Sequence, residues 1–157
     1  MSVNPIPDGY HSVTPYLIVD GAARAIDFYR EAFGATEVLR MPMGDSGKLA
    51  HAEIKIGDSH VMLSDEWPDM NLLGPARRGG ATASLMIYLA DVDGAFHRAI
   101  AAGAIEERPV ADQFWGDRMG TVVDPFGHRW TLATHVEEVP PEEMNRRMEA
   151  MHSEPAE

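Results

Sequence analysis

The sequence predicts an α+β fold in which a strand–helix–three-strand (βαβββ) unit occurs twice, and three observations carry that prediction. A strand-like run leads into an amphipathic helix near residue 13 and again near residue 84. Each helix is followed by three more strand-like runs parted by Gly- or Asp-containing turns. The two copies also close on similar segments, His60-Val-Met-Leu-Ser and His128-Arg-Trp-Thr-Leu.

The elements follow in order. Residues 13–19 (VTPYLIV) have the β-branched and aromatic content of a strand, and Asp20 is placed to cap the helix that follows. Ala22, Ala25, Ile26, Tyr29 and Phe33 fall on one helical face, and Gly34 supplies the left-handed stop. Strands are expected at 35–42, 49–56 and 60–65, with Gly44–Gly47 and Gly57-Asp58 as turns. In the second copy the strand is 84–90, Asp91 or Asp93 caps, Ala95, Phe96, Ala99 and Ile100 form the stripe, and Gly103 ends it. Strands at 105–111, 118–124 and 128–135 complete the unit, the last turn being Asp124-Pro-Phe-Gly. Residues 1–136 are thus one paired domain: repeat one at about 10–65, a Pro- and Gly-containing linker at 66–81, and repeat two at about 82–135. Residues 137–157 form an acidic helix and tail, in which Met144, Met148 and Met151 mark a stripe that docks on the body or on a second chain.

Composition narrows the function classes. The formal charge is −12, of which the tail holds −5, which argues against nucleic acid or an anionic membrane as partner. No apolar run reaches the ~20 residues of a membrane span, and residues 1–12 lack a secretory pattern. The absence of cysteine excludes disulfides and thiolate chemistry and fits a cytoplasmic location. No phosphate-binding Gly-rich loop or nucleophile elbow occurs.

Val19-Asp-Gly-Ala-Ala-Arg-Ala-Ile-Asp-Phe-Tyr-Arg-Glu-Ala-Phe-Gly resembles the first helix of the vicinal oxygen chelate superfamily, which includes glyoxalase I, bleomycin- and fosfomycin-resistance proteins and extradiol dioxygenases. Asp124-Pro-Phe-Gly-His-Arg-Trp resembles its final hairpin. His51-Ala-Glu-Ile-Lys-Ile-Gly-Asp-Ser and Gln113-Phe-Trp-Gly-Asp-Arg-Met-Gly look more narrowly like the PhnB-like branch, and the likeness spans residues 10–136. It implies a curved mixed sheet around a cleft. It also implies a metal held by one residue from each repeat's first and last strands, at or within a residue of Thr14, Met62, Ser84 and Thr131. None of these is His, Asp or Glu, and hydroxyls with a thioether do not replace such donors. No cofactor is therefore expected, with a relocated divalent ion left open.

Strand alternation then selects the cleft lining. Thr14, Tyr16 and Ile18, then His60, Met62 and Ser64, face it from the first copy. Ser84, Met86 and Tyr88, then Arg129, Thr131 and Ala133, face it from the second, while His128 and Trp130 turn to the helix side. His51, Glu53 and Lys55 share a face, either as an acid/base pair or relocated metal site, or as a polar edge where Lys55 neutralises Glu53. Asp65 joins that pair at the cleft mouth or caps a strand end. Trp115, Asp117 and Arg118 are either a ligand-stacking rim or a plugged turn with an internal ion pair.

Two functions are consistent with this lining. One is a metal-free binder of a small organic molecule in an aromatic, hydroxyl-lined cleft. The other is a lyase, isomerase or dioxygenase using His51, Glu53 or Asp65. A ligand-free dimer scaffold ranks below both, because the lining is polar. A homodimer is expected in every case, with the cleft formed within one chain or across two.

Overall fold

The computed structural model describes residues 3–153. Its elements are β1 (Tyr16–Val19), α1 (Ala22–Phe33), β2 (Thr36–Pro42), β3 (Leu49–Ile56), β4 (Ser59–Asp65), a short α2 (Pro75–Arg78), β5 (Ser84–Tyr88), α3 (Val92–Ala102), β6 (Ile105–Asp112), β7 (Asp117–Val123), β8 (Arg129–His135) and α4 (Pro141–Ser153). Two four-stranded mixed sheets result, ordered β1-β4-β3-β2 and β5-β8-β7-β6. In each the first strand pairs parallel to the fourth and the other pairs are antiparallel. The α+β, twice-βαβββ architecture is the one the sequence predicts.

Three local features differ from expectation. The first strand starts at Tyr16, because Pro15 has no N–H to give a ladder, and Thr14 instead donates to His11 O (3.0 Å). The linker is not featureless: it holds a 3-10 turn at Pro68–Met70 and then α2, which Pro75 opens and Gly79 closes. Asp20 does not cap α1. The helix starts at Gly21 (φ 105°), and its first amides are met from β4 by Asp65. In the second copy Asp91 does cap α3, accepting from Gly94 N (3.0 Å).

One face of each sheet is turned to the helices. Leu17, Val19, Ala52, Ile54 and Leu63 bury that face of the first sheet, and Trp130, Leu132 and Val122 that of the second. The copies meet through these faces, with α1 against α3 between them. Tyr29 and Phe33 of α1 pack tilted against Trp130, ring centroids 5.3 and 4.9 Å apart, and Phe28 meets Phe126 edge-on. Buried Asp124 ties the seam, accepting from Tyr29 Oη (2.6 Å) and Trp130 Nε1 (2.8 Å). His128 Nε2–H crosses to Ile18 O (2.9 Å). The helix-free faces of the two sheets therefore look away from each other, and among the described residues these two faces enclose no cleft between them.

Candidate functional site

The helix-free face of the first sheet is set by register. Tyr16 pairs with Met62, and Met62 with Glu53, so the three lie in one row across β1, β4 and β3. His51 lies two residues back on β3 beside Met41 of β2, and Leu39 lies beside Glu53. Tyr16 is 47% exposed, whereas Glu53 is only 8% exposed. Tyr16 Oη is 2.8 Å from His51 Nδ1, and His51 Nε2 is 3.0 Å from Glu53 Oε1. Tyr10 donates its hydroxyl to the other carboxylate oxygen of Glu53. Its ring stacks on His60 at 4.0 Å, and His60 Nδ1–H donates to Gly9 O (2.9 Å). The segment before β1 thus folds over one end of this face.

The polar-edge reading of β3 fails here. Glu53 is buried and its partners are Tyr10 and His51, while Lys55, level with His60, forms no ion pair among the described residues. Tyr10 is the site residue the sequence reading missed. Nothing in a Pro-rich leader signals that its Tyr will reach a carboxylate 43 positions on.

Asp65 needs correction as an acid/base candidate. It is 3% exposed, with Oδ1 accepting from Gly21 N (2.9 Å) and Ala22 N (3.1 Å) and Oδ2 from Leu49 N (2.7 Å). Its lone pairs are committed to backbone amides, so it anchors α1. Thr134 does the same work in the second copy, accepting from Val92 N (3.0 Å) and donating to Leu89 O (2.8 Å). Ser64 is likewise buried, its hydroxyl turned to Asp65 O (3.1 Å).

On the second sheet, Met86 (46% exposed) and Tyr88 (59%) stand out from β5, with Ser84 two residues before. Ser84 and Thr121 both meet Thr131 Oγ1, at 3.3 and 3.1 Å. Asp117, 4% exposed, accepts from Tyr88 Oη (2.8 Å), Trp115 Nε1 (3.2 Å) and His135 Nδ1 (2.8 Å). Burial raises the Asp117 pKa, but the hydrogen bonds from His135, Tyr88 and Trp115 outweigh it and hold the group below its ordinary value. The bond to Asp117 raises His135, with Glu138 adding to it. Asp117 similarly raises Tyr88. Tyr88, Trp115 and Asp117 are brought together by these hydrogen bonds. Arg118 is not among them: one residue on, it turns to the helix side and pairs with Asp93 of α3 (2.7 Å) and Asp112 (3.0 Å). Arg129 is engaged by Glu107 (3.0 Å).

The family's metal positions do not suit an ion. By register Met62 lies beside Tyr16 and Thr131 beside Met86, and Ser84 pairs with Arg129. Thr14 lies outside the strand. Among the described residues no three His, Asp or Glu side chains are grouped to hold a metal. No helix among them is long and apolar enough to cross a membrane.

A groove of about 700 Å3 runs along the open edge of β5, between Ser84, Met86 and Tyr88 and the Ile56–Ser59 turn of the first copy. A second, of about 720 Å3, lies along β1 between Tyr16, Ile18 and the 80–83 segment. The Val13–Pro15 segment borders both.

The family model for the Glyoxalase/Bleomycin resistance protein/Dioxygenase superfamily matches residues 9–132. The uncharacterized protein Rv0887c of Mycobacterium tuberculosis is 43% identical over 151 residues, covering 94% of this chain and 86% of that protein. The crystal structure of TioX from Micromonospora sp. ML1 is 28% identical with a TM-score of 0.61, over 83% of this chain and all of the other (100%). The PhnB protein from Bacillus cereus, at 21% identity and a TM-score of 0.62 over 79% of this chain and 99% of its own, shares the fold. On the family match and the mycobacterial relative, this chain belongs to the Glyoxalase/Bleomycin resistance protein/Dioxygenase superfamily.

Proposed function

We propose that this protein binds a small organic molecule on its helix-free sheet faces, without the superfamily's metal, and that a second copy of the chain completes each binding cup. The observation that carries the reading is the outward exposure of Tyr16, Met86 and Tyr88, apolar and aromatic side chains on faces that one chain leaves open. On each face these exposed side chains lie among polar groups, the makeup of a small-molecule binding surface. The unpaired edges of β1 and β5, with a groove along each, support pairing with another copy. The cysteine-free composition supports a reducing cytoplasm as the setting.

A panel of small organic molecules, aromatic cations included, tests binding by thermal shift and tryptophan fluorescence. A true ligand at a hundredfold excess over its Kd raises the melting temperature by about 5–10 °C. A panel in which nothing shifts melting or fluorescence overturns the reading. Elemental analysis of protein purified without chelator is expected to find no stoichiometric ion, and added Ni, Zn, Mn or Fe to leave melting unchanged.

A second reading, acid/base chemistry on the bound molecule, is favoured by the Tyr16–His51–Glu53 contacts. A Glu53→Gln variant that still binds ligand but no longer turns it over would support this reading. Unchanged turnover would remove it.

A further inference from the structure

Resting on that second reading, we infer that Tyr16, His51 and Glu53 form a proton relay whose exposed end is Tyr16 Oη, and that its substrate class is a phenol or an enolisable carbonyl compound. A carboxylate only accepts hydrogen bonds, so the 3.0 Å contact to Glu53 Oε1 places the proton on His51 Nε2. In the neutral form of the ring the lone pair is then on Nδ1, 2.8 Å from Tyr16 Oη, and in that form the Tyr16 hydroxyl donates to it. This leaves the lone pairs of Tyr16 directed at the open face. Tyr10 occupies the second oxygen of Glu53, so the carboxylate is held in the orientation that fixes the imidazole.

The chemistry balances without a co-reactant. A ligand O–H or C–H bond breaks and its proton passes to Tyr16 Oη, while the proton of the Tyr16 hydroxyl moves to His51 Nδ1. The ligand keeps the electron pair as a phenolate or enolate, and the imidazolium is stabilised by Glu53. Return of the proton to a different atom of an enolate completes a tautomerisation. Met62, Leu39 and Met41 supply the apolar surroundings that favour an uncharged ligand entering. The other titratable groups on this face are Lys55 and His60. Neither is hydrogen-bonded or ion-paired to His51 or Glu53 among the described residues, and His60 is held by Tyr10 and Gly9.

The test uses the full chain and 4-nitrophenol, whose ionisation is visible by absorbance. Below the probe's own ionisation range, the protein is expected to bind it and generate the coloured phenolate. Tyr16→Phe and His51→Gln, checked by melting to be folded, are expected to lower the bound phenolate about tenfold or more. Without any ligand, nitrogen-15 NMR of His51 is expected to show the proton on Nε2, and Glu53→Gln to disturb that preference. Binding without colour, colour retained in Tyr16→Phe, or a proton fixed on Nδ1 each overturns the relay while leaving the binding reading intact. If the phenol fails to bind while other compounds stabilise the protein, the relay falls alone. If nothing binds, both readings fall.

Discussion

Asp65 shows how a single carboxylate divides fold from function. Three amide protons from two distant segments converge on it, so Asp65→Ala leaves buried donors unpaired as well as removing a helix cap. A loss of about 2–3 kcal/mol in urea unfolding is expected, with the Tyr16–His51 contact unchanged by NMR. A loss below the scatter of the measurement would return Asp65 to the list of reactive groups. The Asp117–His135 pair gives a pH prediction. His135 has a raised pKa, so its contribution is complete below the unfolded histidine value of about 6.5 and fades as pH climbs through the higher folded value. Asp117 has a lowered pKa, so its contribution is complete above about 3.9 and fades as pH falls through the lower folded value. Between these limits both act, and Glu138 strengthens the histidine side. The melting difference between wild type and His135→Asn should be greatest near pH 5–6 and shrink above neutrality. A difference flat across pH would remove the ionic part of this contact. At this scale the sequence was partly legible. The face shared by His51 and Glu53 follows from a spacing of two, but the partners of Asp65 and Arg118, and Tyr10 on Glu53, come from other segments, which spacing does not encode.

The elements themselves were readable because their signals are local. Apolar spacing and Gly34 or Gly103 at the left-handed stop define the helix of each repeat, and turn residues separate the strands. Capping was less readable, since the first copy takes its cap from β4 and the second from the adjoining Asp91 and from Thr134. Helix α4 forms as the sequence reading has it, and side chains other than its Met stripe join it to its own chain. Within the chain Arg147 ties it to the body, reaching Glu137 (2.7 Å) and Phe114 O (3.2 Å), and pairs with Glu143 of the same helix (2.7 Å). Met148 and Met151 stay exposed. At the helix–helix seam, Tyr29→Phe removes one donor from buried Asp124. It is expected to cost about 1–3 kcal/mol in denaturant unfolding, with no change in ligand affinity. An equal effect on both would mean that the seam and the binding faces are coupled.

At the scale of the molecule, repeat number and the order of elements along the chain were legible, and the strand order within each sheet and the relative placement of the copies were not. Both arrangements of two βαβββ units bury the same apolar stripes, so the pattern does not distinguish helices outside from helices between. The structure has them between, with Tyr29, Phe33 and Trp130 filling the layer. Under the proposed pairing, light scattering should give twice the chain mass, and Met86→Arg should shift the protein toward monomer. A wild-type monomer at working concentration would count against a shared cup.

The outward-looking faces have a genetic corollary. If each cup takes its first-sheet wall from one subunit and its second-sheet wall from the other, two inactive variants can rescue each other. Chains carrying Tyr16→Phe, unfolded and refolded together with chains altered at Tyr88, would assemble at random. Their mixed dimers would contain one wholly wild-type cup, restoring about a quarter of the sites in the population. Recovery of none would mean that every cup draws both of its walls from the same chain.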